Sequence, residues 1–109
     1  MNIESQQELH RLAPPGFRSL NDACLATNTN RARPKPYDHV LFRPAFTTER
    51  EIEASQGLNV IDLPVEMKAG WAGTGSYPGD PYHHDLFRAA CTDHHAVWFR
   101  ITLSLADDD

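Results

Sequence analysis

Cys91-Thr92-Asp93-His94-His95-Ala96-Val97-Trp98-Phe99-Arg100-Ile101 sets an Asp-His pair at the mouth of an alternating apolar run. A histidine beside a carboxylate can take a proton from water near neutral pH. A second stretch, Tyr37-Asp38-His39-Val40-Leu41-Phe42, puts another carboxylate at the start of an apolar run. If Asp38 accepts a hydrogen bond from His94, it fixes the imidazole tautomer, raises its basicity and leaves the second nitrogen free to activate water. Together the two stretches suggest hydrolytic chemistry. The residue types alone are equally compatible with Asp38 as a turn former and His94 as a polar strand-entry residue.

The other histidines invite a metal reading. His83, His84, Asp85, Asp93, His94 and His95 would be recruited as a histidine-rich zinc or manganese site. Neighbouring side chains diverge on strands and helices alike, and no pair has the HExxH spacing that puts two rings on one helical face. His10, His83 and His84 therefore read as solvated or hydrogen-bonded surface groups. Arg31, Arg33 and Lys35 lie within one short stretch, either as a solvated loop or as phosphate contacts. A net charge of −5 argues against nucleic-acid binding by bulk electrostatics, which needs an excess of Lys and Arg.

These residues must be positioned by few elements. Ser5 and Glu8 make a capping-box pattern for a helix over 5–13, with Leu9 and Leu12 on one face, ended by Pro14-Pro15-Gly16. Residues 21–25 read as a short strand and Thr27-Asn28-Thr29-Asn30 as a polar turn. Pro34 and Pro36 keep the approach to a strand over 37–42 extended. Asp38, Val40 and Phe42 share one side of that strand; Tyr37, His39 and Leu41 share the other. Thr48 and Glu51 suggest another helix start, 58–63 a strand, and Pro64 a helical turn through Lys68. After a loop over 70–79, Asp80 as N-cap and Pro81 as first residue predict a helix through Ala90. In the last strand Val97, Phe99, Ile101, Leu103 and Leu105 form one face.

The motifs resemble a known family. Asn28-Thr29-Asn30 leading to Pro36-Tyr37-Asp38-His39-Val40-Leu41-Phe42, followed by Thr92-Asp93-His94-His95-Ala96-Val97-Trp98-Phe99, is similar to the C-terminal part of the endonuclease/exonuclease/phosphatase superfamily. Tyr77-Pro78-Gly79-Asp80-Pro81-Tyr82 resembles its bacterial endonuclease-like branch. The resemblance covers about residues 20–105. It implies an α/β, α+β-like fold with a largely antiparallel sheet of three to five strands and short flanking helices, part of a four-layer α/β/β/α sandwich.

By the same resemblance His94 is the general base or the charge stabiliser at the scissile phosphate, Asp38 orients it, and Asp93 lies near a divalent metal, Mg2+ or Mn2+, directly or through water. Arg31 and Lys35 would meet the phosphate of a nucleic acid or another phosphodiester. Thr92 stands where the family has Ser, keeping the hydroxyl, and Ala96 stands where it has Pro.

The family's metal-binding Glu and Gly-Asp-x-Asn motif have no counterpart. Gly79-Asp80 runs on into Pro81-Tyr82, and nothing marks Glu4, Glu8, Glu49, Glu51, Glu53 or Glu66 as a metal ligand. The expectation is a chain that hydrolyses phosphodiesters weakly or not at all alone, needing an N-terminal half. The alternative is a non-catalytic remnant acting as a binding module, its unpartnered sheet face driving self-association.

The remaining bounds are loose. The 109 residues divide into a helix and Pro-rich connector (1–19), the family-like region (20–105) and an acidic tail (106–109). No segment reads as a membrane span or a signal peptide, so the compartment stays open. Cys24 and Cys91 fit either two thiols or one bridge.

Overall fold

The computed structural model describes residues 3–44 and 57–101. Its elements in chain order are α1 (Gln6–Leu12), β1 (Arg18–Ser19), β2 (Leu41–Phe42), β3 (Asn59–Ile61), α2 (Leu63–Glu66), α3 (His84–Ala90) and β4 (Ala96–Trp98). The helix expected from Thr48 and Glu51, Leu103 and Leu105 of the last strand, the tail 106–109, and Glu49, Glu51 and Glu53 lie outside the described residues.

The chain is a mixed α and β structure with two small antiparallel sheets, β1–β2 and β3–β4. Arg18 faces Phe42 and Ser19 faces Leu41 in the first; Asn59 faces Trp98, Val60 faces Val97 and Ile61 faces Ala96 in the second. Among the described residues the strands form two separate pairs and not one continuous sheet. The core lies between the pairs: Leu20, Phe42 and Leu58 are buried together, with Val40, Val97 and Phe99 packed against them. Leu20 N–H donates to Val40 O at 2.9 Å and Leu58 N–H to Leu20 O at 3.1 Å, so residue 20 ties both sheets together.

Helix α1 starts at the expected Ser5 cap, with Glu8 reaching the amide of Glu4, one residue before the cap, and not that of Ser5. The Ser5 hydroxyl accepts from Glu8 N–H at 3.2 Å, and the Glu8 carboxylate accepts from Glu4 N–H at 2.9 Å. Leu9 is buried and Leu12 is exposed, so one residue of the expected pair anchors the helix.

Three expectations need correction. Residues 21–25 form a turn, because the buried Asn21 side chain does what a strand partner would otherwise do. Its Oδ1 accepts from Leu25 N–H at 2.7 Å, while Nδ2 donates to Leu25 O at 3.0 Å and Asp38 O at 3.1 Å. Cys24, at φ 52°, completes the reversal.

The strand over 37–42 pairs only at Leu41–Phe42, because the Asp38 amide is taken by the Thr27 hydroxyl. Helix α3 begins at His84 and not at Pro81. The Asp80–Pro81 bond is cis, Gly79 and Tyr82 pair across a turn, and the His83 ring caps the helix by accepting from Leu86 N–H. Asp80 is not a cap; its carboxylate pairs with Lys68.

Candidate active site

Thr27, Asn28 and Thr29 are almost completely buried and form the rib on which the site is built. Their backbone runs antiparallel to Asp93–His95. Thr29 N–H donates to Asp93 O at 2.9 Å, Asn28 pairs with His94, and His95 N–H donates to Thr27 O at 2.6 Å. Asn28 also closes the loop that follows it. Its Oδ1 accepts from Lys35 N–H at 2.7 Å and its Nδ2 donates to Arg33 O at 2.9 Å. The rib thereby holds the 37–38 segment on one side and the 93–95 segment on the other.

The consequence is contact between two residues 56 positions apart: His94 Nδ1 lies 2.8 Å from Asp38 Oδ2. A carboxylate only accepts, so the ring donates through Nδ1–H, and in the neutral imidazole Nε2 carries the lone pair. No hydrogen bond among the described residues involves that nitrogen, and the His94 side chain is 43% exposed, so Nε2 is available to water. Asp38 is held at both ends of its backbone unit. Its N–H donates to Thr27 Oγ1 at 2.9 Å and its C=O accepts from Asn21 Nδ2. The Thr92 hydroxyl accepts from His94 N–H at 3.1 Å, and the Tyr37 ring flanks the imidazole at 5.8 Å between centroids.

Asp38 and His94 meet between the two sheets and not at the rim of a single one. Asp38 leads into β2 and His94 into β4, and these strands belong to different pairs. The arrangement suits an acid–base pair: a ring fixed in tautomer and aim, with one nitrogen facing solvent.

The remaining candidates lie nearby or are engaged elsewhere. Asp93 is exposed, and its carboxylate enters no hydrogen bond or ion pair among the described residues. Lys35 Nζ is 2.7 Å from Glu4 Oε2, and that hydrogen bond raises the ammonium above its ordinary value. Its charge is paired with Glu4, just ahead of α1. Arg31 approaches both oxygens of Asp62 at 3.4 Å and lies over the Tyr82 ring at 4.8 Å.

The four clustered histidines serve four separate partners: His83 caps α3, His84 meets Tyr82, His94 meets Asp38, and His95 Nδ1 accepts from Leu63 N–H at 3.2 Å. Among the described residues no three His, Cys, Asp or Glu side chains converge to hold an ion. The histidine-rich module is thus not assembled there, and Asp93 offers a single carboxylate, which does not by itself make a magnesium site. Both cysteines are free.

Asn21 and Thr27 position the pair, and neither stands out in the sequence as a site residue. The alternation of Thr27 and Thr29, β-branched and two apart, was the available signal for an extended buried segment where a polar turn was expected. Compared with known proteins, the chain matches no family model, no curated protein and no solved structure.

Proposed function

We propose that this chain carries the His–Asp part of a phosphodiester-hydrolysing site, as the C-terminal segment of an endonuclease/exonuclease/phosphatase-like domain of four-layer design. The observation that carries the reading is the 2.8 Å contact of His94 Nδ1 with Asp38, with Nε2 left open to solvent. The resemblance of the two motifs that supply these residues gives the reaction class.

In the reaction His94 Nε2 removes a proton from a water molecule as its oxygen bonds to phosphorus. Asp38 holds the Nδ1 proton and stabilises the imidazolium that results. The bond to the leaving oxygen breaks, that oxygen takes up a proton from solvent, and the imidazolium returns its own to solvent. Magnesium or manganese belongs to the same reading, as the group that offsets charge on phosphoryl oxygens. Asp93, next to His94 in the chain, is the carboxylate that this reading gives to the metal, directly or through water.

The test is nicking of a supercoiled plasmid in magnesium or manganese by wild type, His94→Ala and Asp38→Asn. Slow nicking by wild type is expected, absent in His94→Ala. Asp38→Asn should be slower by a factor of up to about 10⁴, the loss seen when an orienting carboxylate becomes an amide. Equal nicking by wild type and His94→Ala would sink the reading.

A second reading, a non-catalytic binding module, is favoured by one observation. The β3–β4 register sets Ile61, Ala96 and Trp98 on one face, and all three are exposed. A concentration-independent monomer in size-exclusion chromatography counts against it; wild type that never nicks but dimerises counts for it.

A further inference from the structure

The same rib that carries His94 also borders an open cleft of about 400 Å³, lined by Asn30, Arg31, Tyr82, His83, His84 and Asp85. The hydrogen bonds around this cleft determine which of its groups can donate. Asn30 Oδ1 accepts from the N–H groups of Ala32 and Arg33, both at 3.1 Å, which fixes the amide and leaves both Nδ2 hydrogens without a partner among the described residues. His83 Nδ1 accepts from Leu86 N–H, so in the neutral ring the proton sits on Nε2 as a free donor. Arg31 is stacked on Tyr82, and its contact with Asp62 is long and exposed, a weak hold on the guanidinium.

Tyr82 provides the rigid floor. Its hydroxyl donates to Thr29 O, and that single proton is thereby used. The neutral His84 ring, 3.0 Å away at Nδ1, must then donate to Tyr82 Oη and keeps its Nε2 lone pair. Asp85 lies at the rim in a pair with Arg88 at 3.7 Å. The cleft thus offers three donor groups, the Arg31 guanidinium, the Asn30 amide and His83 Nε2–H, with the His84 Nε2 acceptor beside them and the Asp85 carboxylate, a second acceptor, at the rim. Donors of this kind on a stacked arginine suit a phosphate oxygen cluster, and the acceptor suits a sugar hydroxyl.

We propose that this cleft is a second phosphate subsite, which holds a phosphodiester neighbouring the one at His94, so that the substrate is a polynucleotide strand and not a small phosphodiester. The inference rests on the hydrolase reading of the Asp38–His94 pair. The two sites are coupled by backbone: Asn28 faces His94, Thr29 bonds Asp93 on one side and Tyr82 on the other, and Asn30 opens the cleft. Asn28 and Asn30 are two residues apart, at most about 7 Å along extended chain.

The test is a titration of the full chain, without divalent ions, followed by the imidazole ring resonances of His83 and His84. Inorganic phosphate, decathymidylate and decauridylate are the probes; the last two distinguish deoxyribose from ribose strands. Both strands, or one of them, should move the rings at least tenfold more tightly than inorganic phosphate. Asn30→Asp keeps both turn acceptors, and so the fold, while replacing the donor by a negative charge. It should weaken strand binding at least tenfold, as should Arg31→Gln.

Rings that no strand moves, strand binding no tighter than inorganic phosphate, or undiminished binding in Asn30→Asp would overturn the proposal. The titration involves no turnover, so its failure is distinct from a failure of the plasmid assay. Cleft binding without nicking defeats only the hydrolase reading, and His94-dependent nicking without cleft binding defeats only this one.

Discussion

Thr27 shows how much of the site depends on a side chain that takes no part in the chemistry. Fully buried, it accepts from Asp38 N–H through its hydroxyl while its carbonyl accepts from His95 N–H. One residue therefore grips the segments that bring the acid and the imidazole together. Thr27→Val keeps the shape and removes the acceptor, leaving the Asp38 amide unpaired. The expected cost is about 1–3 kcal/mol in denaturant unfolding, the usual penalty for a stranded polar group. Nicking should fall as well, because the Asp38 carboxylate loses its backbone anchor. Loss of activity with unchanged stability would argue instead for direct participation of Thr27. Asn21 works in the same manner from the other side of Asp38, with an amide that makes three hydrogen bonds.

The turn between α2 and α3 is held by aromatic packing. Phe87 on α3 is fully buried, with the Tyr77 ring edge-on at 6.3 Å and the Tyr82 ring at 5.9 Å. Tyr77 also donates to Pro64 O at 2.6 Å, which fastens α2 to the same cluster. Gly79 passes directly against the Tyr77 ring, so closely that an added Cβ would collide with it. Gly79→Ala must push the ring off Phe87 or shift the turn, at an expected cost of about 1–3 kcal/mol. Thermal unfolding checks it, with Gly70→Ala as control, since a Cβ there meets nothing within 4 Å. Equal melting temperatures for the two variants would show that Tyr77 yields freely. This cluster also supports Tyr82, so Gly79→Ala should weaken strand binding at the cleft.

Stability across the molecule should depend on pH through His95. Burial lowers its pKa from the ordinary 6.5, with Asp62 opposing and Arg31 assisting. Protonation also conflicts with the bond that Nδ1 accepts from Leu63 N–H, the link between the β4 approach and α2. A group whose folded value is depressed binds fewer protons folded than unfolded. Its contribution is therefore complete above about 6.5 and is lost as pH falls through the lower folded value. The melting temperature should drop more steeply on acidification from pH 7 to 5 in wild type than in His95→Gln, which cannot titrate there. Parallel curves for the two proteins would contradict this account.

What was legible in the sequence is what local chemistry governs. Ser5 and Glu8 made a helix start because a hydroxyl and a carboxylate reach amides one turn away, whatever the rest of the chain does. The alternation at 97 and 99 gave two core residues, since successive strand side chains point to opposite faces. Asp38 and His94 could be paired on paper by chemical complementarity and motif, but their meeting depends on the buried rib at 27–29, which grips Asp38 11 residues away and the 92–95 segment more than sixty residues away. The start of α3 depended in the same way on competition: Lys68 engages Asp80, and His83, not an obvious cap, takes its place. Hydrogen-bonding groups with several possible partners choose among them only when distant segments are in place, and no spacing rule along the chain encodes that choice.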